Sequence, residues 1–407
     1  MTKEQLEYAS IRYGTPLYIF DTDILRKEVE RFRESLGNEI NICFAMKANP
    51  FLTEQMVGMV DRIEICSMGE FRICQELMIP PEKMLISGVM KRRQDIWQII
   101  DYCREECVYT IESLNQFNCF AEWCDAHSEV LHVYLRLTSG NQFGMDEQTI
   151  RNIISVRNIC PFLKIDGIHY FSGTQKKSLE LINKELRYLD EFMNRLKQEE
   201  QFEVENLEYG PGIAVSYFAG REEKIFQDES IRKLSEMILK MQWKGHVTLE
   251  MGRALVAMCG YYLTEVRDLK HTGDNDYCIV DGGCHQMNYD GQIKGMYQPM
   301  VQVIPRSLGG KEHSWTVCGA LCTVNDILCK NIGMKNIKVG NVLVFERTGA
   351  YSVTEGMALF LSHDLPKVAL YSEKMGWKLV RSKQPTYIWN MSREVEDGYI
   401  DENFKGN

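Results

Sequence analysis

The chain has 407 residues, of which 44% are hydrophobic and 26% are charged, a composition typical of globular proteins that bury a large core without disulfide bonds. Its 47 lysine and arginine residues against 57 aspartate and glutamate residues give a net charge of −10, which disfavours nonspecific nucleic-acid binding. No apolar run is long enough to span a membrane. The polar N-terminus and the 14 cysteines, which lack metal-ligand spacing, favour a cytoplasmic protein without a metal site.

The first two-thirds of the chain alternates short apolar or β-branched runs with segments of helical periodicity, such as Ser178–Gln198 and Glu229–Gln242. The runs start about 20–40 residues apart, which is the spacing of βα units. Eight such units predict an α/β fold, a (β/α)8 barrel of the TIM type, and a doubly wound open sheet is the alternative. The predicted strands are Asn41–Lys47, Arg62–Met68, Met84–Gly88, Val108–Ser113, Leu131–Leu137, Lys164–Ser172, Asn206–Gly212 and His246–Gly252.

After about Thr264 the helical periodicity ends, and strand-like runs separated by polar turns follow, which predicts a C-terminal β-sandwich or β-barrel domain. We therefore divide the chain into an N-terminal segment that joins the β domain (1–25), the barrel (26–264) and the β domain (265–407). The predicted strands of this last domain are Tyr277–Asp281, Val301–Pro305, Ser314–Cys318, Asn341–Glu346, Lys367–Tyr371 and Trp377–Val380.

The carboxyl ends of the barrel strands carry residues suited to one kind of cofactor, and active sites of such barrels lie at these ends. The first strand ends in Lys47, the eighth carries Glu250 and then Arg253, and glycine-rich turns follow the sixth and seventh. A buried lysine with a lowered pKa suits Schiff-base chemistry, and glycine turns bring backbone N–H groups to a phosphate. Together with a carboxylate that can pair with a pyridine nitrogen, the lysine and the glycine-rich turns predict a pyridoxal 5′-phosphate site. If each feature is considered alone, the alternatives are a solvated surface lysine, an ordinary turn and a structural ion pair between Glu250 and Arg253.

From Tyr13 to Leu370 the chain resembles the fold-type III decarboxylases that depend on pyridoxal phosphate, the group of diaminopimelate, ornithine and arginine decarboxylases. The resemblance implies an alanine racemase-like barrel with a C-terminal β domain, and a homodimer whose active sites lie at the subunit interface. It lies in the motifs YGTPLYIFD, FAMKANP, ISGVMK, TIESL, LRLTSGNQFGM, GIHYFSGTQ, EYGPGIAV, LEMGR, CGALCTVND and RTGAYSV.

The resemblance also implies a role for individual residues. Lys47 would hold the cofactor as an aldimine, and Cys322 of a partner chain would return a proton to Cα after the release of carbon dioxide. Glu250 would pair with the pyridine nitrogen. The residues implied for cofactor binding are Lys47, Ala45, Phe171, Gly173, Thr174, Gly210, Gly212, Glu250, Gly252, Arg253 and Tyr351, and those implied for substrate binding are Thr323, Asp326 and Phe360.

Two departures from the family pattern bear on the substrate. Phe171 stands where the family has a histidine stacked on the cofactor ring, and Thr323 stands where an acidic residue often contacts a distal ammonium group. The sequence thus favours an α-decarboxylase similar to diaminopimelate decarboxylase, acting on a small amino acid. Three alternatives stay open: a decarboxylase of a carrier-tethered or otherwise specialised amino acid such as a glutamyl group, an amino-acid racemase, and a non-catalytic binding protein.

Overall fold

The structure, a computed structural model, describes residues 1–220, 227–273, 275–289, 295–305 and 310–392. The chain begins with α1 (Lys3–Tyr13), β1 (Leu17–Asp21) and α2 (Thr22–Leu36). The Asp21 side chain caps α2 by accepting hydrogen bonds from the backbone N–H groups of Asp23 and Ile24, which satisfies donors that have no partner within the helix. No described helix has the length and apolar character that crossing a membrane requires.

Eight parallel strands of the described chain close into a barrel, which confirms the predicted fold and excludes the open sheet. The closure is made by the first barrel strand pairing with the last, with Cys43 opposite Glu250. The strands are β2 (Ile40–Ala45), β3 (Arg62–Ile65), β4 (Met84–Ile86), β5 (Val108–Ile111), β6 (Leu131–Leu137), β7 (Leu163–Phe171), β8 (Asn206–Gly210) and β9 (His246–Met251).

Amphipathic helices cover the outside of the barrel. The longest described helix, Leu179–Glu199, buries Ile182, Leu186 and Leu189, a spacing that places them on one face of the helix. The helices that follow α2 are α3 (Thr53–Met56), α4 (Met68–Glu76), α5 (Arg93–Cys103), α6 (Leu114–His127), α7 (Glu147–Ser155), α8 (Leu179–Glu199), α9 (Asp228–Leu239) and α10 (Arg253–Val256).

The remaining strands form a separate mixed sheet that includes the N-terminal strand β1. The order β14-β13-β11-β10-β1-β16-β17 places β1 between an antiparallel and a parallel neighbour, and β15 pairs with both β10 and β12. The new elements are β10 (Gly260–Thr272), β11 (Asn275–Val280), β12 (Val301–Ile304), β13 (Glu312–Cys318), β14 (Ile327–Lys335), β15 (Val342–Glu346), β16 (Lys367–Ser372), β17 (Gly376–Arg381) and α11 (Tyr387–Asn390).

Two strands of the C-terminal part of this sheet, β10 and β14, are absent from the sequence prediction. The first half of β10 is buried and its second half is exposed, so no single periodicity runs through it. In β14 the alternation is interrupted at Asn331, whose φ is +55°, a left-handed value that is uncommon for residues other than glycine. The domain boundary predicted after residue 264 falls inside β10.

Candidate active site

A cavity of about 440 Å³ lies at the carboxyl ends of the barrel strands. Lys47 follows β2 directly, and the register of the barrel places Glu64 of β3 beside Ala45 and Glu250 of β9 beside Cys43. Two carboxylates therefore flank the strand that leads to the lysine. The predicted cofactor-binding residues that line the cavity are Ala45, Lys47, Phe171, Gly173, Thr174, Gly212, Glu250, Gly252, Arg253 and Tyr351.

The Lys47 amine lies among negative and polarisable groups. Its Nζ is 2.6 Å from Glu64 Oε2, 3.6 Å from Glu250 Oε1 and 3.6 Å from Cys66 Sγ. Burial lowers the pKa of Lys47, but Glu64, Cys66 and Glu250 outweigh it and hold the pKa well above its ordinary value. The prediction of a lowered pKa is therefore wrong for this chain, because it considered burial without the neighbouring carboxylates. The side chain remains 41% exposed, so a ligand in the cavity can reach the amine.

A buried histidine that was not among the predicted site residues contacts the Glu250 carboxylate. His169 of β7 is completely buried, and its Nε2 lies 2.9 Å from Glu250 Oε2. In the register of the barrel His169 pairs with Arg136, which donates a hydrogen bond of 3.1 Å to Glu112 Oε1. Burial, reinforced by the Arg136 charge, lowers the pKa of His169 to about 3, so its ring is neutral.

Two glycine loops come together at one side of the cavity, as expected of a phosphate cradle. Gly212 has a φ of +59°, and a Cβ atom at this position would lie 1.9 Å from the carbonyl oxygen of Gly173. Backbone hydrogen bonds from Lys176 N to Gly212 O and from Ala214 N to Lys176 O hold the loops together. The approach of the two loops thus requires glycine at position 212.

Phe171 ends β7 and packs against the adjoining strand. A Cβ atom at Gly210 would lie 2.5 Å from Cδ2 of the Phe171 ring. Gly210 does not itself line the cavity, in contrast to the other glycines predicted to bind the cofactor. It makes room for the phenyl ring, which is the part of this pair that borders the cavity.

Arg253 and Tyr351 supply a cation and a phenol from two different domains. Arg253 Nη1 donates a hydrogen bond of 2.7 Å to Tyr217 Oη, and its guanidinium carbon lies 4.6 Å from the centre of the Tyr351 ring. Tyr351 follows β15 of the sheet domain and reaches the cavity because its backbone N–H donates to Ala48 O at 2.7 Å. The Asn49 side chain donates to the carbonyl of the nearby Gly349 at 2.8 Å, which fixes the same loop to the barrel.

The residues predicted to face the substrate from the β domain do not border the cavity of their own chain. Cys322 is exposed on the loop between β13 and β14, Thr323 is half-buried, and Phe360 is 45% exposed. Asp326 is only 2% exposed, and its carboxylate accepts hydrogen bonds from the backbone N–H groups of Cys284 and Leu321. These two donors, 42 and five residues away along the chain, hold the Asp326 carboxylate against the loop that carries Cys322, and the assignment of Asp326 to the substrate stays a prediction.

The structure adds groups to the site that the sequence analysis left out. The alternation of side chains along a strand directs His169 and Phe171 to the same face of β7, a signal that could have identified the histidine. The wall residues on loops offered no such signal, because loop conformation does not follow a period. The added wall residues are Asn141, Phe143, Ile213 and Glu355 on loops, Met251 at the end of β9 and Ala254 in α10. In the described chain no group of three or more His, Cys, Asp or Glu residues is arranged to hold a metal ion.

Comparison with known proteins assigns the chain to a family. The family model described as "Pyridoxal-dependent decarboxylase, C-terminal sheet domain" matches residues 17–349. The chain belongs to this family. It is 23% identical over 412 residues to L-glutamyl-[BtrI acyl-carrier protein] decarboxylase of Niallia circulans, covering 94% of this chain and 95% of the relative. It is also 23% identical over 413 residues to diaminopimelate decarboxylase of Methanocaldococcus jannaschii, covering 94% and 92%.

A solved structure has the same fold. Diaminopimelate decarboxylase of M. jannaschii in complex with L-lysine superposes with a TM-score of 0.84 at 21% identity, covering 95% of this chain and 94% of that chain. The barrel with its separate sheet domain is thus the architecture of this family, and the prediction of a pyridoxal-dependent amino-acid decarboxylase is confirmed.

Proposed function

We propose that this protein binds pyridoxal 5′-phosphate through Lys47 and removes the α-carboxylate of an amino acid, with Cys322 of a second copy as the proton donor. The observation that carries the proposal is the position of the Lys47 amine. It lies between Glu64 and Glu250 at the wall of a cavity that also contains the two glycine loops.

The residues present fit the cofactor. The contact between Gly212 and Gly173 O leaves no space for a side chain, and Arg253 adds a fixed positive charge to the same wall, so phosphate has both backbone donors and a cation available. Glu250 offers a buried carboxylate to a protonated pyridine nitrogen. Bound at this site, pyridoxal phosphate supplies the electron sink that allows the bond between Cα and the carboxylate to break.

Side chains of the protein control the proton transfers at Lys47 and at the substrate Cα. Lys47 attacks a carbonyl carbon only as a neutral amine, and Glu64 Oε2, at 2.6 Å from its Nζ, stabilises the ammonium form that must first lose a proton. After carbon dioxide leaves, the substrate Cα needs a proton, and the Cys322 thiol is the proposed donor. Because Cys322 is exposed and lies outside the cavity of its own chain, this assignment calls for a homodimer with shared sites.

The substrate we propose to test first is diaminopimelate, the substrate in the name of the M. jannaschii relative. A glutamyl group on an acyl-carrier protein is the second candidate, named for the N. circulans relative. Thr323, which replaces a carboxylate in the family pattern, favours this second class because it offers no charge to a distal ammonium group. All 14 cysteines are free thiols, which supports a cytoplasmic setting for either reaction.

The test is a screen of the reconstituted protein for carbon dioxide release from diaminopimelate, lysine, ornithine, arginine and glutamate, and from a glutamyl group on a carrier protein. The expected result is release from diaminopimelate, and release only from the carrier-bound group would select the second candidate. Enantiomer exchange without carbon dioxide release would identify a racemase and refute the proposal.

Two variants test the residue assignments. Lys47→Ala should abolish the visible absorbance band of the lysine-bound cofactor, and Cys322→Ala should slow carbon dioxide turnover while the band stays. Mixing the two variants should raise the activity toward about a quarter of the wild-type activity, since half of the randomly formed dimers contain one intact site. Without such recovery, Cys322 is not the donor from a second copy.

A further inference from the structure

We propose that His169 is a positioning residue, which donates a hydrogen bond to one oxygen of Glu250 and directs the other oxygen toward the cofactor ring. The inference rests on the proposed function, because it concerns the carboxylate assigned to the pyridine nitrogen. It goes beyond that assignment by identifying a group outside the cavity wall that determines how this carboxylate acts.

The two oxygens of Glu250 have different surroundings. Oε2 lies 2.9 Å from His169 Nε2, on the buried side of β9. Oε1 lies 3.6 Å from Lys47 Nζ, and Glu250 is part of the cavity wall. One oxygen is therefore held by the protein interior, and the other faces the group that enters the cavity.

The hydrogen-bond pattern assigns the proton to Nε2 of His169. Its Nδ1 is buried and has no hydrogen-bond partner among the described residues. A proton on Nδ1 would lack an acceptor and would leave the bare lone pair of Nε2 facing the Glu250 carboxylate. A proton on Nε2 forms the 2.9 Å bond instead, and a tautomer is assigned from the hydrogen bonds in this way.

The charges around the ring keep His169 a neutral donor. Burial and Arg136 both lower its pKa, to about 3, against the opposing effect of nearby carboxylates. A neutral imidazole leaves the negative charge of Glu250 for the pyridine nitrogen, whereas an imidazolium would neutralise it. The charged groups that face the ring are Glu64 of β3, Glu112 after β5, Arg136 of β6, Lys47 after β2 and Glu250 of β9.

The donor has a defined consequence for proton sharing between the carboxylate and the pyridine nitrogen. A hydrogen bond to Glu250 stabilises the charged carboxylate, and so favours the ionic pair with a protonated ring over the neutral pair. Hydrogen bonds to charged groups are worth enough for roughly a 10- to 100-fold shift in such an equilibrium. Removing the donor should move the proton from the ring nitrogen toward Glu250 by that factor.

The experiment uses holoenzyme reconstituted with pyridoxal phosphate labelled with ¹⁵N in the ring, and it measures the nitrogen chemical shift as a function of pH. In His169→Leu the shift should move toward that of an unprotonated pyridine. In His169→Gln, whose amide N–H can still donate, it should stay near the wild-type value. Glu250→Gln supplies the reference for a ring that has lost its carboxylate.

A wild-type chemical shift at every pH in a folded, cofactor-loaded His169→Leu protein would overturn the inference and leave His169 a packing residue. If His169→Leu does not fold, His169→Asn takes its place, since its shorter amide ends farther from Glu250. Failure of the proposed function is a separate result: the wild-type protein would then form no lysine-bound cofactor band, whatever stands at position 169.

Discussion

The close contact between the Gly173 and Gly212 loops leads to a quantitative prediction about cofactor affinity. In Gly212→Ala the new methyl group would lie 1.9 Å from Gly173 O, well inside the 3.4–4 Å of an ordinary van der Waals contact, so the two loops must separate. The substitution also places alanine at a φ of +59°, which costs about 1–2 kcal/mol. Separation of the loops removes backbone donors from the phosphate, and each lost bond to a charged group costs about 1.5–3 kcal/mol.

We therefore expect the apparent dissociation constant of pyridoxal phosphate to rise roughly 10- to 100-fold, as measured by titration of the visible absorbance band. Gly376→Ala is the matched control, because Gly376 has a φ of +70° and no heavy atom within 4 Å of its virtual Cβ. Through the φ strain both variants should lose about 1–2 kcal/mol of unfolding free energy without cofactor, and the contact with Gly173 O should add to this loss in Gly212→Ala, but only Gly212→Ala should lose affinity. Equal cofactor affinity in the two variants would refute the assignment of these two loops to phosphate binding.

Two further predictions concern buried charge. Burial raises the pKa of Glu208 to about 8, although the Arg62 guanidinium lies 3.5 Å away. The folded protein thus keeps a proton that the unfolded chain releases above its ordinary pKa of 4.5, so stability should fall by up to a few kcal/mol as the pH rises toward 8. Urea unfolding of Glu208→Gln, measured from about pH 4.5 to about pH 8, should show a smaller loss of stability with rising pH than the wild type. An unchanged loss would contradict the assignment of this pH dependence to Glu208. Glu64→Gln removes the nearest negative charge and should lower the Lys47 pKa, seen as a shift to lower pH in the rate of pyridoxal phosphate uptake; an unshifted profile would show that Glu64 does not control the amine.

The sequence by itself identified the barrel and much of its active-site wall. Eight apolar runs at βα spacing predict a parallel α/β fold, either a closed barrel or an open sheet, and the closed barrel brings every strand's carboxyl end to one face. Lys47, Gly212 and Glu250 each stand at such an end, so their order along the chain sufficed to bring them together.

Only the tertiary structure decided the electrostatics of the site. The raised pKa of Lys47 depends on Glu64, which is on the next strand, and the orientation of Glu250 depends on His169, 81 residues earlier. Asp326 is buried because Cys284 N, 42 residues away, donates to it. A pKa or a hydrogen bond depends on distances of a few ångströms between segments remote in sequence, and periodicity fixes which face a side chain occupies without fixing those distances.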